Sequence, residues 1–276
     1  MFAGYGSRDW REYSAIFLKK LTLNKLTIKL IEKSKKVHLF DYFFEKIIFF
    51  SDSFCFIIMI SNLRTLRIAY NDMSKQLLEK HLDLTNPIKN CQNWLQAAID
   101  EGVQEPNAMN ISTVDHRNRP SARVVLCKEI REDGFVFFTH STSRKGQNLK
   151  HNPYISATFF WPEVHRQIRV EGITEMLEES VAEEYFNSRS KESRAASACS
   201  DQSKVIGDKE ALISKYNKCF EKEDGSGLKR PEGWRAYLIK PDYFEFWQGN
   251  SHRLHDRIVF KQKTDCQEWD TERLQP

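Results

Sequence analysis

No two cysteines of the chain stand at C-x-x-C spacing. The six it has, Cys55, Cys91, Cys127, Cys199, Cys219 and Cys266, are scattered. That argues against a zinc site and against the disulfide framework of a small secreted protein. They read as reduced thiols of an intracellular, cytoplasmic protein, and no metal is expected. There is no G-x-G-x-x-G and no Walker-type loop. A nucleotide cofactor would therefore not be held through a Rossmann or P-loop turn. No internal repeat is visible. No long block of like charge occurs and the net charge is only +4, so no nucleic-acid partner is called for and small anions fit as well.

A long apolar run is also missing. Phe40 to Ile60 is very apolar, but Asp41, Glu45, Lys46 and Asp52 interrupt it. The clean part, Ser53 to Leu63, falls short of the ~20 residues a spanning helix needs. Nothing near Met1 reads as a secretory signal. Met1 to about Asn62 is expected to be an extension, poorly ordered or atypical. A membrane-surface or targeting segment is the alternative. The remainder, 63–276, reads as one domain.

The texture changes from about Leu63. Asn86-Pro87 predicts an N-cap and first helical residue. Ile88, Cys91, Trp94, Leu95 and Ala98 follow at helical spacing, and Gly102 closes the helix. Short strand-like runs come next: Met109 to Val114, Ala122 to Cys127, Phe135 to Thr139 after a turn at Glu132-Asp133-Gly134, Tyr154 to Trp161, and Gln167 to Thr174. Helical stretches are expected at about Val181 to Ser188 and Lys209 to Phe220. Strands return at Trp234 to Lys240, Tyr243 to Trp247 and Ile258 to Lys261. Many short, closely spaced strands with few helices predict an antiparallel barrel, not a doubly wound parallel sheet.

Four clusters carry possible chemistry. In R-V-V-L-C-K, Arg123, Val125 and Cys127 share one strand face and Val124, Leu126 and Lys128 the other. Its two cations fit an anion site or simply solvated strand ends. In T-H-S-T-S-R-K, Thr139 to Lys145, hydroxyls precede Arg144 and Lys145 at a strand-to-helix junction. That suits a phosphate or an ordinary polar loop. Tyr185, Arg189 and Ser193 stand four apart, so a helix continuing that far would line them on one face as a phosphate cradle or as a solvated face. Glu245 to Arg257 concentrates Trp247, Arg253, His255 and Arg257. Trp247 offers a stacking surface. Arg253 and His255, two apart, would point the same way on an extended segment, although His255 could equally stabilise a hairpin.

Together these motifs resemble the pyridoxamine 5′-phosphate oxidase family. R-L-H-D-R after E-F-W-Q-G, S-R-K-G, R-Q-I-R-V-E-G, Y-F-N-S-R-S and a final E-R-L-Q-P occur in order from about Leu66 to Pro276. The resemblance implies a split β-barrel with FMN at a homodimer interface. It implies FMN contacts from Arg123, Val124, Val125, Leu126, Cys127, Lys128, Phe138, Thr139, Arg144, Lys145, Gln167, Gln202, Ser203, Trp247 and Arg257. Lys128, Tyr185, Arg189 and Ser193 would grip the substrate phosphate. Arg253, Leu254 and His255 would meet the pyridine ring, with Arg253 and His255 in catalysis. Arg67 and Tyr70 match a segment that closes over the substrate. The implied reaction takes pyridoxamine or pyridoxine 5′-phosphate to pyridoxal 5′-phosphate, passing electrons to O2 and yielding H2O2.

Two segments depart from the family's pattern. Ser193 to Ala198 reads S-R-A-A-S-A where S-Q-I-G-A is usual, and Trp234 to Tyr237 reads W-R-A-Y for W-G-G-Y. Lost glycines put side chains where backbone could approach closely. The rivals are another split-barrel flavin oxidoreductase, a non-catalytic FMN or pyridoxal phosphate carrier, and a membrane-attached form.

Overall fold

A computed structural model describes residues 70, 78–226, 228–264, 266 and 268–276. The expected extension, Phe40 to Ile60, Cys55 and Arg67 lie outside these. Helix α1, Pro87–Asp100, begins as the sequence predicts: Asn86 accepts from the Lys89 N–H, and Pro87 is in the first turn. Gly102 follows its end at φ +73, a left-handed turn that glycine takes without penalty.

Among the described residues nine strands form one antiparallel sheet: β1 Ala108–Val114, β2 Pro120–Leu126, β3 Glu129–Arg131, β4 Gly134–His140, β5 Tyr154–Trp161, β6 Arg166–Met176, β7 Trp234–Gln248, β8 Asp256–Gln262 and β9 Trp269–Arg273. Their order is β2-β1-β5-β6-β7-β4-β3, with β8 between β7 and β9. The chain is thus a mainly antiparallel half-barrel with flanking helices: α2 Arg144–His151, α3 Glu179–Ser188, α4 Lys191–Cys199 and α5 Lys209–Ser226. Two short strands, β3 and β9, and helix α4 were not expected. They are too brief to leave a periodic signature.

The two runs at 234–240 and 243–247 prove to be one strand. Pro241 interrupts the sequence pattern but not the backbone. It sits at a bulge, where Glu171 pairs with Tyr243 and Gly172 with Pro241, the irregular position a strand proline tolerates. β7 consequently pairs with β6 along one edge, and with β4 and then β8 along the other. Thr139 pairs with Arg235 near its start and Arg257 with Trp247 near its end. Those twelve residues amount to about 40 Å along the strand.

Alternation divides the sheet. Met109, Ile111, Phe135, Phe137, Phe159, Ile168, Val170, Phe244, Phe246 and Phe260 point into the core with Trp94 of α1. Val136, Ala236 and Leu238 face the other way, packing Ala182 and Phe186 of α3 with Trp234. The outward side of β2 and β5 leaves Val124, Leu126, Tyr154 and Phe160 exposed. Among the described residues no helix is long and apolar enough to cross a membrane.

The bulge sets a packing limit. A Cβ on Gly172 would collide with the Lys240 carbonyl oxygen. Gly172→Ala should cost about 1–3 kcal/mol through forced displacement, read as a lower urea midpoint with the m-value unchanged.

Candidate functional site

The inner face of β2, the end of β4 and the start of α2 converge on one cationic pocket. Arg123 donates to Thr113 Oγ1 at 2.9 Å and to Ser121 Oγ at 2.7 Å. Lys145 is buried and donates to Thr139 Oγ1 and to Gln202 Oε1, both at 3.1 Å. Thr139 also donates to Gln202, at 2.8 Å. Gln202 gets there because β3 covers β4 only as far as Val136. The strand edge beyond is open, and the segment after α4 crosses it. Ser143 caps α2 by accepting from the Gly146 N–H, leaving the helix N-terminus directed to the same place.

No carboxylate neutralises this group: among the described residues Arg123, Arg144 and Lys145 take part in no ion pair. Burial, and then Arg123, bring Lys145 down to about 8. Burial, and then Arg144, lower Arg123 as well. Cations that depress one another, lined by hydroxyls and an amide, suit a dianion such as a phosphate monoester. The rest of the R-V-V-L-C-K motif divides by strand alternation. Val125 turns inward, while Val124, Leu126 and Lys128 are exposed. Cys127 is buried in the core. Its thiol donates to the Glu129 carbonyl at 3.3 Å and is pushed up by burial to about 12. Ser203 lies exposed beside Gln202 at φ +74.

On the opposite face of β4, Phe138 stacks on Tyr185 with ring centroids 4.1 Å apart, and both lie nearly parallel to Trp234. The Arg189 guanidinium covers the Trp234 ring at 5.2 Å. The continuous helix expected through Tyr185, Arg189 and Ser193 is not there. α3 ends at Ser188, Arg189 is extended, and Ser190 caps a new helix by accepting from the Ser193 N–H. The physical reason is local: a serine cap competes for backbone N–H groups and favours a restart. The three residues accordingly sit around a helix start and not along one face.

The departing residues are accommodated. Ser197 accepts from Arg189 at 2.6 Å, and its carbonyl lies 3.0 Å from His140 Nε2. Ala236 is fully buried. Arg235 pairs with Glu179 at 2.6 Å.

A second constellation occupies the far end of β7. Gln167, Trp247 and Arg257 are directly paired across β6, β7 and β8 and so share one face. Arg257 grips Glu245 through two nitrogens, at 2.8 and 3.0 Å, and donates to the Gln275 carbonyl. Arg169 reaches the same carboxylate at 2.9 Å. Burial opposes the charge on Glu245, but Arg257 and Arg169 overcome it and hold the carboxyl below its ordinary value. Arg257 is thereby fixed beside Trp247.

Arg253 and His255 are not on an extended segment. Ser251–Arg253 forms a 3-10 turn, with His252 and Arg253 at φ +56 and +62. Two consecutive non-glycine residues in the left-handed region mark stored strain. Arg253 and Leu254 project to solvent, whereas His255 folds in, accepting the Asn250 N–H on Nδ1 at 3.1 Å. Burial, then Arg253, lower its pKa. Trp247 lies 4.7 Å and Tyr70 5.3 Å from the His255 ring, and Tyr70 also packs edge-on against His165. Leu254, His255 and Asp256 line a cavity of about 270 Å³ with the C-terminal residues 273–276. Sequence reasoning missed Thr113, Ser121, Ser197, Glu245, Asn250 and His165. Thr113, Ser121 and His165 lie outside every motif, whereas Ser197, Glu245 and Asn250 lie within segments that were singled out but were given no role of their own.

The cation pocket carries a pH signature. The pKa of Lys145 in the folded protein, about 8, lies below its ordinary 10.5. Between those values the unfolded chain binds the extra proton, so stability rises with pH across that window. Lys145→Met should flatten that rise in urea titrations. It should also weaken stabilisation by inorganic phosphate about tenfold or more, the worth of a charge-assisted hydrogen bond.

Comparison with known proteins agrees with this arrangement. Residues 95–222 match the family described as pyridoxamine 5′-phosphate oxidase, and residues 234–276 match the pyridoxine 5′-phosphate oxidase C-terminal dimerisation region. A pyridoxine/pyridoxamine 5′-phosphate oxidase from Haemophilus influenzae is 43% identical over 206 residues, covering 75% of this chain and 97% of its own. One from Neisseria meningitidis is 44% identical over 205 residues, covering 74% and 96%. Among solved structures, PhzG from Burkholderia lata, in complex with tetrahydrophenazine-1-carboxylic acid, aligns with TM-score 0.66 and 34% identity, covering 69% of this chain and 93% of its own. An FMN-binding protein from Nostoc punctiforme, at TM-score 0.58 and 16% identity, covers 69% and 98% and shares the fold. With its C-terminal dimerisation region included, the chain belongs to the pyridoxamine 5′-phosphate oxidase family.

Proposed function

We propose that the protein oxidises pyridoxamine and pyridoxine 5′-phosphates to pyridoxal 5′-phosphate, as a homodimer with FMN at the interface. The supporting observation is the separation of two incomplete half-sites. Arg123, Arg144, Lys145, Thr139 and Gln202 form an anion grip at one end of β7. The row Gln167, Trp247 and Arg257 lies at the other. The contour between them is longer than a mononucleotide, so one cofactor meets both sets where two chains face each other. The exposed apolar side of β2 and β5 gives such a contact its area. The oxidase domain is read as 63–276, with 1–62 as an extension.

The residues present fit FMN. Its phosphate would be held by Arg123, Arg144 and Lys145, and its ring system by Gln167 and Trp247, with Arg257 steadied by Glu245. The chemistry that bound FMN would supply is two-electron oxidation at the substrate's C4′ carbon, with O2 as the final acceptor and H2O2 as its product. The chain's part is binding and orientation. Arg189, Tyr185, Ser193 and Lys128 take the substrate phosphate, with the start of α4 adding backbone N–H groups. Binding energy spent on that remote group places C4′. Tyr70, Trp247 and His255 make an aromatic wall that excludes water from the pyridine. With Nδ1 accepting from Asn250, neutral His255 carries its proton on Nε2, available to a substrate oxygen or nitrogen. Arg253 faces outward to meet the ring from the opposite side.

Purified protein should turn yellow with FMN and convert pyridoxine phosphate to pyridoxal phosphate with stoichiometric peroxide. A yellow protein with no turnover would identify a carrier instead. Arg253→Ala should lower turnover by about ten- to a hundredfold, the worth of a charge-assisted contact, and leave FMN binding intact. Because Arg253 helps keep the His255 imidazole neutral, the same variant should move the acid limb of the pH–rate profile to higher pH. An unmoved limb would separate the two residues.

A further inference from the structure

Ser197, in the last turn of α4, joins two elements that border the same aromatic stack. Its hydroxyl accepts from Arg189 Nη1 at 2.6 Å. Its carbonyl lies 3.0 Å from His140 Nε2. A carbonyl only accepts, so that nitrogen carries the proton. Strand alternation brings His140 there. Phe138 and His140 are two apart on β4 and share a face, and His140 pairs directly with Trp234 of β7. The Arg189 guanidinium covers that Trp234 ring at 5.2 Å, and Phe138 and Tyr185 stack alongside. Thr139, between them, turns the other way, to Lys145 and Gln202.

Arg189 has few other anchors. It follows α3 on extended backbone, and among the described residues no carboxylate pairs with its guanidinium. Its side chain is long and rich in rotamers. A fork that is not already held spends binding energy on ordering when an anion arrives. The Trp234 ring confines the guanidinium to its face, but a π face sets no direction within that plane. The Ser197 oxygen does. It takes one donor on Nη1 and leaves the rest of the fork for an anion. Ser197 is anchored in turn, by its helix and by the buried His140. Ser193 stands one helical turn earlier, on the same face of α4.

We infer that Ser197 is a positioning residue for the substrate phosphate: its hydroxyl aims the Arg189 guanidinium, and His140 holds Ser197 in place to do so. Ser197 stands where the usual S-Q-I-G-A pattern has alanine. The contact therefore belongs to this chain and is no part of that pattern. A departure that could have weakened the anion grip instead gives it a hydrogen bond. The inference rests on the functional reading in which Arg189 takes the substrate phosphate.

The experiment titrates FMN-loaded full-length protein with 4-deoxypyridoxine 5′-phosphate, which has no C4′ oxygen to oxidise, and in parallel with 4-deoxypyridoxine, which has no phosphate. Ser197→Ala should weaken the phosphorylated ligand about three- to tenfold, the net worth of one hydrogen bond. It should leave the phosphate-free ligand and FMN binding unchanged. Alanine is the usual residue of the pattern, so the fold accepts it. Ser197→Thr keeps a hydroxyl and should bind like the parent. In an Arg189→Ala background, Ser197→Ala should add less than about twofold, because its effect passes through the guanidinium. A full loss in that background, or equal weakening of both ligands, shows a structural role and overturns the inference. So does unchanged binding in Ser197→Ala where Arg189→Ala alone binds weakly. If Arg189→Ala itself binds the phosphorylated ligand normally, the functional reading of Arg189 fails, and this inference with it.

Discussion

Strand β7 is the constraint from which the remaining geometry follows. It is fifteen residues long and hydrogen-bonded on both edges. Its first half belongs with β4 and its second with β8, while β6 runs along the other edge nearly throughout. A strand this long cannot bring its ends together, so the cationic pocket and the Trp247 row stay apart within one chain. The bulge at Gly172 and Pro241 lets the strand bend without losing its pairing. The phenylalanines on its inner side give the core its bulk, while its outer side packs Trp234, Ala236 and Leu238 against α3 before the bulge and carries Glu245 and Trp247 after it.

The pocket at the start of β7 is held by a balance that favours a ligand over stability. Arg123, Arg144 and Lys145 repel one another, and no carboxylate among the described residues offsets them. Burying a cation without a counter-ion is costly. Hydroxyls from Thr113, Ser121 and Thr139 and the Gln202 carbonyl meet part of that cost. The other end resolves the same problem differently: the buried Glu245 carboxylate is shared by Arg169 and Arg257. One cluster is left open to an anion, and the other supplies its own.

Strain is concentrated where the chain turns to place His255. His252 and Arg253 both adopt left-handed backbone. They keep it because β8 and the Asn250 N–H hold the imidazole in place. The helix break at Ser190 is a comparable exchange. It breaks the helix face shared by Tyr185, Arg189 and Ser193, but supplies a capped helix start beside the guanidinium.

Much of the architecture was legible without coordinates. The α1 boundaries, the inward and outward faces of β2, and β5 to the residue follow from local rules of capping and alternation. Such rules depend on near neighbours in the chain. The merger of two runs into β7, the reach of Gln202 across the open edge of β4, and the pairing of Glu245 with Arg169 depend on residues tens of positions apart. So does the distance between the two half-sites. By itself, the sequence determined which residue types gather in motifs and which faces they share. Only the tertiary structure decided which motifs meet, because packing, and not spacing, sets contacts between distant segments.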